Sequence, residues 1–125
     1  MQRKKVIDKT VVSRAVIIKI QDDRDPDLIK ATHMKGYDDP EIIYNEKKDK
    51  GYKPDIVSYN KNEINVYEIE LDDKMPFEKW QLFAEYAGKN SGNLFLIMPD
   101  YLKEPIKEEI RKREIHSKLI YFNTE

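Results

Sequence analysis

The chain has 125 residues, enough for one ordinary domain spanning 1–125 and too few for a second independent core. Apolar residues make up 39% and charged residues 38%, and 8 Tyr, 4 Phe and 1 Trp argue against disorder. With 23 Lys+Arg against 24 Asp+Glu the net charge is −1, which excludes a global basic field, and the lack of cysteine excludes disulfides, cysteine-bound metals and a thiol nucleophile.

Residues 11–20 (VVSRAVIIKI) are rich in β-branched side chains, which suit a strand, but a buried helix of that length fits as well, and both readings stay open. Asp25-Pro26 reads as an N-cap with Pro at the first helical position, predicting a helix over 27–35 that Gly36 closes. Pro40 introduces a short strand over 41–45, followed by a charged turn over 46–53. Pro54 opens a second strand over 55–59, and the turn 60–63 leads into a third over 64–71.

Asp72, Asp73 and Pro76 introduce a helix over 77–87, with Phe77, Trp80, Ala84 and Ala87 on one apolar stripe. Residues 93–98 form a continuous apolar run, as in a strand covered on both faces. A charged helix over 105–115, with Ile106, Ile110 and Ile115 inward, and a last strand over 119–122 complete the chain. This order predicts an α/β fold of three layers, a central mixed sheet flanked by helices. No apolar run is long enough to span a bilayer, and no cleavage signal follows the charged start, so no membrane partner and a cytoplasmic location are expected.

The third strand carries the chemistry. Alternation along a strand puts Ile64, Val66, Glu68 and Glu70 on one face, with the two carboxylates at its far end. If the hairpin closes at 60–63, Asp55 comes opposite that end. Two carboxylates about 5 Å apart repel by roughly 3 kcal/mol at an effective dielectric of ~20, so the trio must protonate, recruit Lys or Arg, or bind a cation. An all-oxygen cluster suits Mg²⁺ or Mn²⁺, the ions of metal-dependent phosphodiesterases.

Pro54-Asp55, a hairpin, then Glu68-Ile69-Glu70 resembles the PD-(D/E)XK nuclease superfamily, the restriction-endonuclease-like fold, whose core order αβββαβ the reading from about residue 25 to 98 matches. The resemblance implies that Asp55 and Glu68 bind the metal, with the Ile69 carbonyl and Glu70 as further ligands. It also implies DNA as substrate and a homodimer, since cutting two strands takes two sites. The chain departs at the third motif position, where the family more often has Lys and this sequence has Glu70. Glu70 is then the candidate base, Lys74 or Lys79 the substitute cation, and Gln81, about 40° from Phe77 around the helix, a further site residue. The resemblance also implies an acid on the helix before the first strand, for which Asp27 and Glu41 are the nearest options.

Blander readings stand beside these. Glu68 and Glu70 fit the polar face of an edge strand, although Ile64 and Val66 share that face; Asp55 also fits a turn. Lys47, Lys48, Lys50 and Lys53, interleaved with Tyr44 and Tyr52, read first as a solvated turn and, beside a catalytic site, as a phosphate-contacting patch. Trp80, Phe77 and Phe83 read as core, with base stacking as the minor alternative, and Arg111, Lys112 and Arg113 as the wet side of a helix, balanced by Glu108, Glu109 and Glu114. The competing function is a catalytically inactive copy of the fold that binds DNA or another protein.

Overall fold

The computed structural model describes residues 6–124; the charged start over 1–5 lies outside the described residues. The first helix, α1, spans Lys9–Arg24 and settles the segment left open. Ser13, Ile17 and Ile20 recur at helical spacing and are buried, while Val11 and Ile18 face water. The Asp8 carboxylate accepts the Thr10 N–H at 2.8 Å and caps the start.

Asp25-Pro26 closes this helix instead of opening another. Asp25 takes the left-handed conformation (φ 43°) and donates its N–H to the Gln21 carbonyl. A short polar side chain tolerates that conformation, and Pro follows helix ends as readily as it begins helices. The helix expected over 27–35 is therefore replaced by a strand, β1 (Leu28–Ala31), with Ile29 and Ala31 buried. Gly36, at φ 89°, serves the loop that follows.

The predicted turn over 46–53 also contains a strand. Strands β2 (Ile43–Asn45) and β3 (Lys50–Tyr52) pair as a separate antiparallel ribbon. The ribbon packs against the next helix through buried Ile43 and an edge-to-face contact between Tyr52 and Phe83. The remaining elements follow the expected order: β4 (Ile56–Asn60), β5 (Glu63–Ile69), α2 (Phe77–Lys89), β6 (Leu94–Pro99), α3 (Lys103–Arg113) and β7 (Lys118–Phe122).

The main sheet is mixed, in the order β1-β4-β5-β6-β7, antiparallel from β1 to β5 and parallel from β5 to β7. Alternation along the strands sends Tyr67, Ile69, Phe95 and Ile97 to a core shared with Ile17 and Ile20 of α1. Val66, Leu94, Leu96 and Met98 enter a second core with Trp80, Phe83 and Ala87 of α2 and Ile106 of α3. Helices thus cover both faces of the sheet, in three layers.

One glycine fixes how α2 turns into β6. A Cβ on Gly92 would lie 1.8 Å from the Ile64 carbonyl oxygen, so only glycine lets this turn lie against β5. The buried Asn65 carboxamide then accepts the Asn93 N–H at 2.8 Å and anchors the start of β6.

A carboxylate and lysine cluster at the end of the hairpin

The hairpin register brings the acids together. Ile56 pairs with Tyr67, so Asp55, one residue before β4, stands opposite Glu68. Asp55 donates its backbone N–H to Glu68 Oε1 at 3.2 Å, and its own Oδ2 accepts the Ile69 N–H at 2.8 Å. Each carboxylate therefore closes the frayed end of the β4–β5 ladder by taking an N–H from the other strand. Glu70 continues on the Glu68 face, and its backbone N–H bonds to the Ile97 carbonyl at 2.8 Å. The Trp80 indole N–H donates to Glu70 Oε1 at 3.0 Å, from a ring with no exposed surface.

Two lysines complete the cluster. Lys79 Nζ lies 3.4 Å from Glu68 Oε2 and 3.8 Å from Glu70 Oε1. Lys9 Nζ, from the first turn of α1, lies 2.8 Å from Asp55 Oδ1. Helix geometry explains why Lys79 arrives. The buried side of α2 is set by Trp80, Phe83 and Ala87, while Phe77 stays half-buried with the Arg113 guanidinium 3.3 Å from its ring centroid. At 100° per residue Lys79 then flanks the buried axis at about 70°, whereas Gln81 lies about 130° away.

The other expected site residues are placed elsewhere. Gln81 lines a separate cleft with Asn45, Lys48, Tyr52 and Glu78. Lys74 is exposed on the loop before α2, where its backbone N–H bonds to Asp72, and it forms no ion pair with the acids. Asp27 accepts the Lys61 N–H at the opposite end of the hairpin, and Glu41 is exposed beside Lys30. In the basic ribbon, Lys48 pairs with Glu78 at 3.3 Å and Lys53 with Asp39 at 3.0 Å, while Lys47 and Lys50 lie exposed.

Burial dominates the electrostatics. Glu68 retains 1% of its surface, and this desolvation holds its carboxyl well above the usual range; the neighbouring Asp55 pushes the same way and Lys79 opposes it. Burial also raises Glu70, against the Trp80 hydrogen bond and Lys79. Burial works against the Lys79 ammonium, yet Glu68, Glu70 and Asp55 outweigh it and hold the group above its ordinary value. Glu68 and Lys79 are thus both raised although they face each other; the dry surroundings of Glu68 and the second acid beside it account for that.

Counting charges defines the site. Asp55 and Glu70 have Lys9 and Lys79 within reach, which leaves one carboxylate in excess, and the driest of the three is Glu68. A proton or a bound cation satisfies it. The Asp55 and Glu68 carboxylates and the Ile69 carbonyl, which lies between Glu68 and Glu70, supply only oxygen donors, the set that suits a hard divalent ion. Glu70 is committed to Trp80 and Lys79, and among the described residues no three Asp, Glu, His or Cys side chains form a metal cage by themselves.

The sequence reading missed Lys9, because the helix carrying it was not assigned. Nor does the reading of Trp80 as core, with base stacking beside it, anticipate the Glu70 hydrogen bond, although a buried indole N–H requires an acceptor. No helix among the described residues is long and apolar enough to cross a membrane. Comparison with protein-family models, curated proteins and solved structures finds no match in any of the three.

Proposed function

We propose that the protein is a metal-dependent nuclease of the PD-(D/E)XK type, with a restriction-endonuclease-like fold, that hydrolyses DNA phosphodiester bonds. The observation that carries this reading is Lys79. It brings an ammonium to 3.4 Å from Glu68 and 3.8 Å from Glu70, at a cluster whose third motif position lacks the family's lysine. The element order supports the same reading: α1, the antiparallel strands β1, β4 and β5, then α2 and parallel β6 run as αβββαβ, with the β2–β3 ribbon as an insertion.

In this reading Asp55, Glu68 and the Ile69 carbonyl hold Mg²⁺ or Mn²⁺. When bound, such an ion stabilises charge on the phosphoryl oxygens and acidifies a water for attack. Lys79, held by α2, keeps three N–H donors at the rim of the acid pair and orients what binds there. Glu70, with Oε1 taken by Trp80, presents Oε2 as a proton acceptor whose affinity burial has raised. Lys47 and Lys50, which have no acidic partner in the ribbon, are the residues there best placed to contact phosphates, and two copies would serve two strands.

Asp55→Asn tests the reading, because the amide still accepts the Ile69 N–H. The variant should lose at least ~100-fold of Mg²⁺-dependent plasmid cleavage, within the range found when a catalytic group is removed. Undiminished cleavage would remove Asp55 from the mechanism.

One observation favours a second reading, an inactive module that binds DNA or protein: Lys9 and Lys79 already stand against two of the three acids. Thermal melting with and without Mg²⁺ separates the two. An ion that binds only the native state adds about 2.7 kcal/mol at a hundredfold excess over its Kd, and no shift at millimolar ion supports the inactive module.

A further inference from the structure

We propose that Lys9 is a displaceable counter-ion built into the site, which occupies the coordinating oxygen of Asp55 and competes there with a divalent cation; this rests on the metal-site reading above. Asp55 has two carboxylate oxygens. Oδ2 is committed to the Ile69 N–H at 2.8 Å, and Oδ1 is held by Lys9 Nζ at 2.8 Å. A cation that takes Asp55 without breaking the hairpin ladder therefore has Oδ1 to use, and Lys9 stands on it.

The two lysines of the cluster differ in how firmly they are held. Lys79 is 23% exposed and faces two glutamates from the first turn of α2. Lys9 is 52% exposed, and Asp55 is its one ion-pair partner among the described residues. Its backbone is fixed by the Asp8 cap at the start of α1, so the ammonium swings on a flexible four-carbon stem from a stationary base. Asp55, at 13% side-chain exposure, is the less mobile partner. Lys9 also lies close enough to Glu70 to favour its ionised form. A divalent ion arriving at Asp55 thus meets a resident positive charge and releases it to solvent, while Lys79 stays.

The test is Mn²⁺ binding to the full chain, measured by calorimetry and by the shift in thermal midpoint, for wild type, Lys9→Met, Lys9→Arg and Asp55→Asn. Lys9→Met, which keeps the stem and removes the charge, should bind Mn²⁺ about tenfold tighter or more, and melt lower than wild type without the ion. Lys9→Arg should restore the weaker binding, and Asp55→Asn should abolish binding. If wild type binds through Asp55 and Lys9→Met binds no tighter, Lys9 is no competitor and the inference fails alone. If wild type takes up no Mn²⁺ at millimolar concentration, or Asp55→Asn binds as well as wild type, the metal site itself is wrong and the inference falls with it.

Discussion

Replacing Lys79 by Met keeps the length of the side chain and removes its charge, leaving Glu68 and Glu70 without the cation that lies 3.4 and 3.8 Å away. Removing one partner of a buried ion pair typically costs about 3–5 kcal/mol, because the other charge stays uncompensated. Here the cost has a ceiling. Glu68 is nearly inaccessible and its carboxyl is already raised, so it can take a proton instead of standing charged. Holding one carboxyl protonated at pH 7, against an unfolded-state pKa of about 4.3, costs roughly 3.5 kcal/mol. The expected loss is therefore about 2–3.5 kcal/mol at pH 7, and it shrinks towards pH 5, where protonation costs only about 1 kcal/mol. Urea unfolding followed by the fluorescence of Trp80, the only tryptophan, measures it. Glu68→Gln on the Lys79→Met background should recover most of the loss. A loss independent of pH would refute the reasoning, since it would reflect only the packing of the lysine stem.

In the wild type, the raised Glu68 and Glu70 carboxyls bind more protons folded than unfolded above pH ~4.3, so their contribution to stability falls as pH rises through that window. Glu68→Gln should flatten the decline between pH 5 and 8 in a series of urea titrations; an unchanged slope would assign it to other groups. Trp80→Phe removes the donor to Glu70 Oε1 and leaves space in the core, and should cost about 2–3 kcal/mol with a further rise in the Glu70 pKa by NMR titration. Gly92→Ala drives a methyl into the Ile64 carbonyl and should cost at least ~2 kcal/mol in thermal melting, whereas Gly88→Ala, with open space around it, should be neutral or stabilising.

The basic ribbon shows why charge runs are poor guides to a surface. Lys47, Lys48, Lys50 and Lys53 look alike in the sequence, yet the fold gives Glu78 to Lys48 and Asp39 to Lys53. Arg111 and Arg113, on the wet side of α3, pair with Glu108 and Glu109 one turn away on the same helix face, as their spacing predicts. The difference is range: neighbours along a helix are visible in the sequence, and partners 14 or 30 residues away are not.

Local patterning by itself determined the hairpin, the acidic end of β5, and the elements from α2 to β7, because strand alternation and helix periodicity are properties of short stretches. It left the first helix open and put a helix where β1 lies, since Asp-Pro carries the same signal at either end of a helix and only the packing of Ile17 and Ile20 on the sheet decides between them. The tertiary structure decided between Lys74 and Lys79 as the cation beside the acids and added Lys9. Lys79 reaches them because Trp80, Phe83 and Ala87, not Phe77, orient α2, and Lys9 does so because α1 crosses the sheet from 46 residues before Asp55. Three carboxylates and Lys79 as one of two candidate cations could be read from the chain; that Lys79 and Lys9 are the ones that meet them depends on helices whose rotation and docking are set by the whole core.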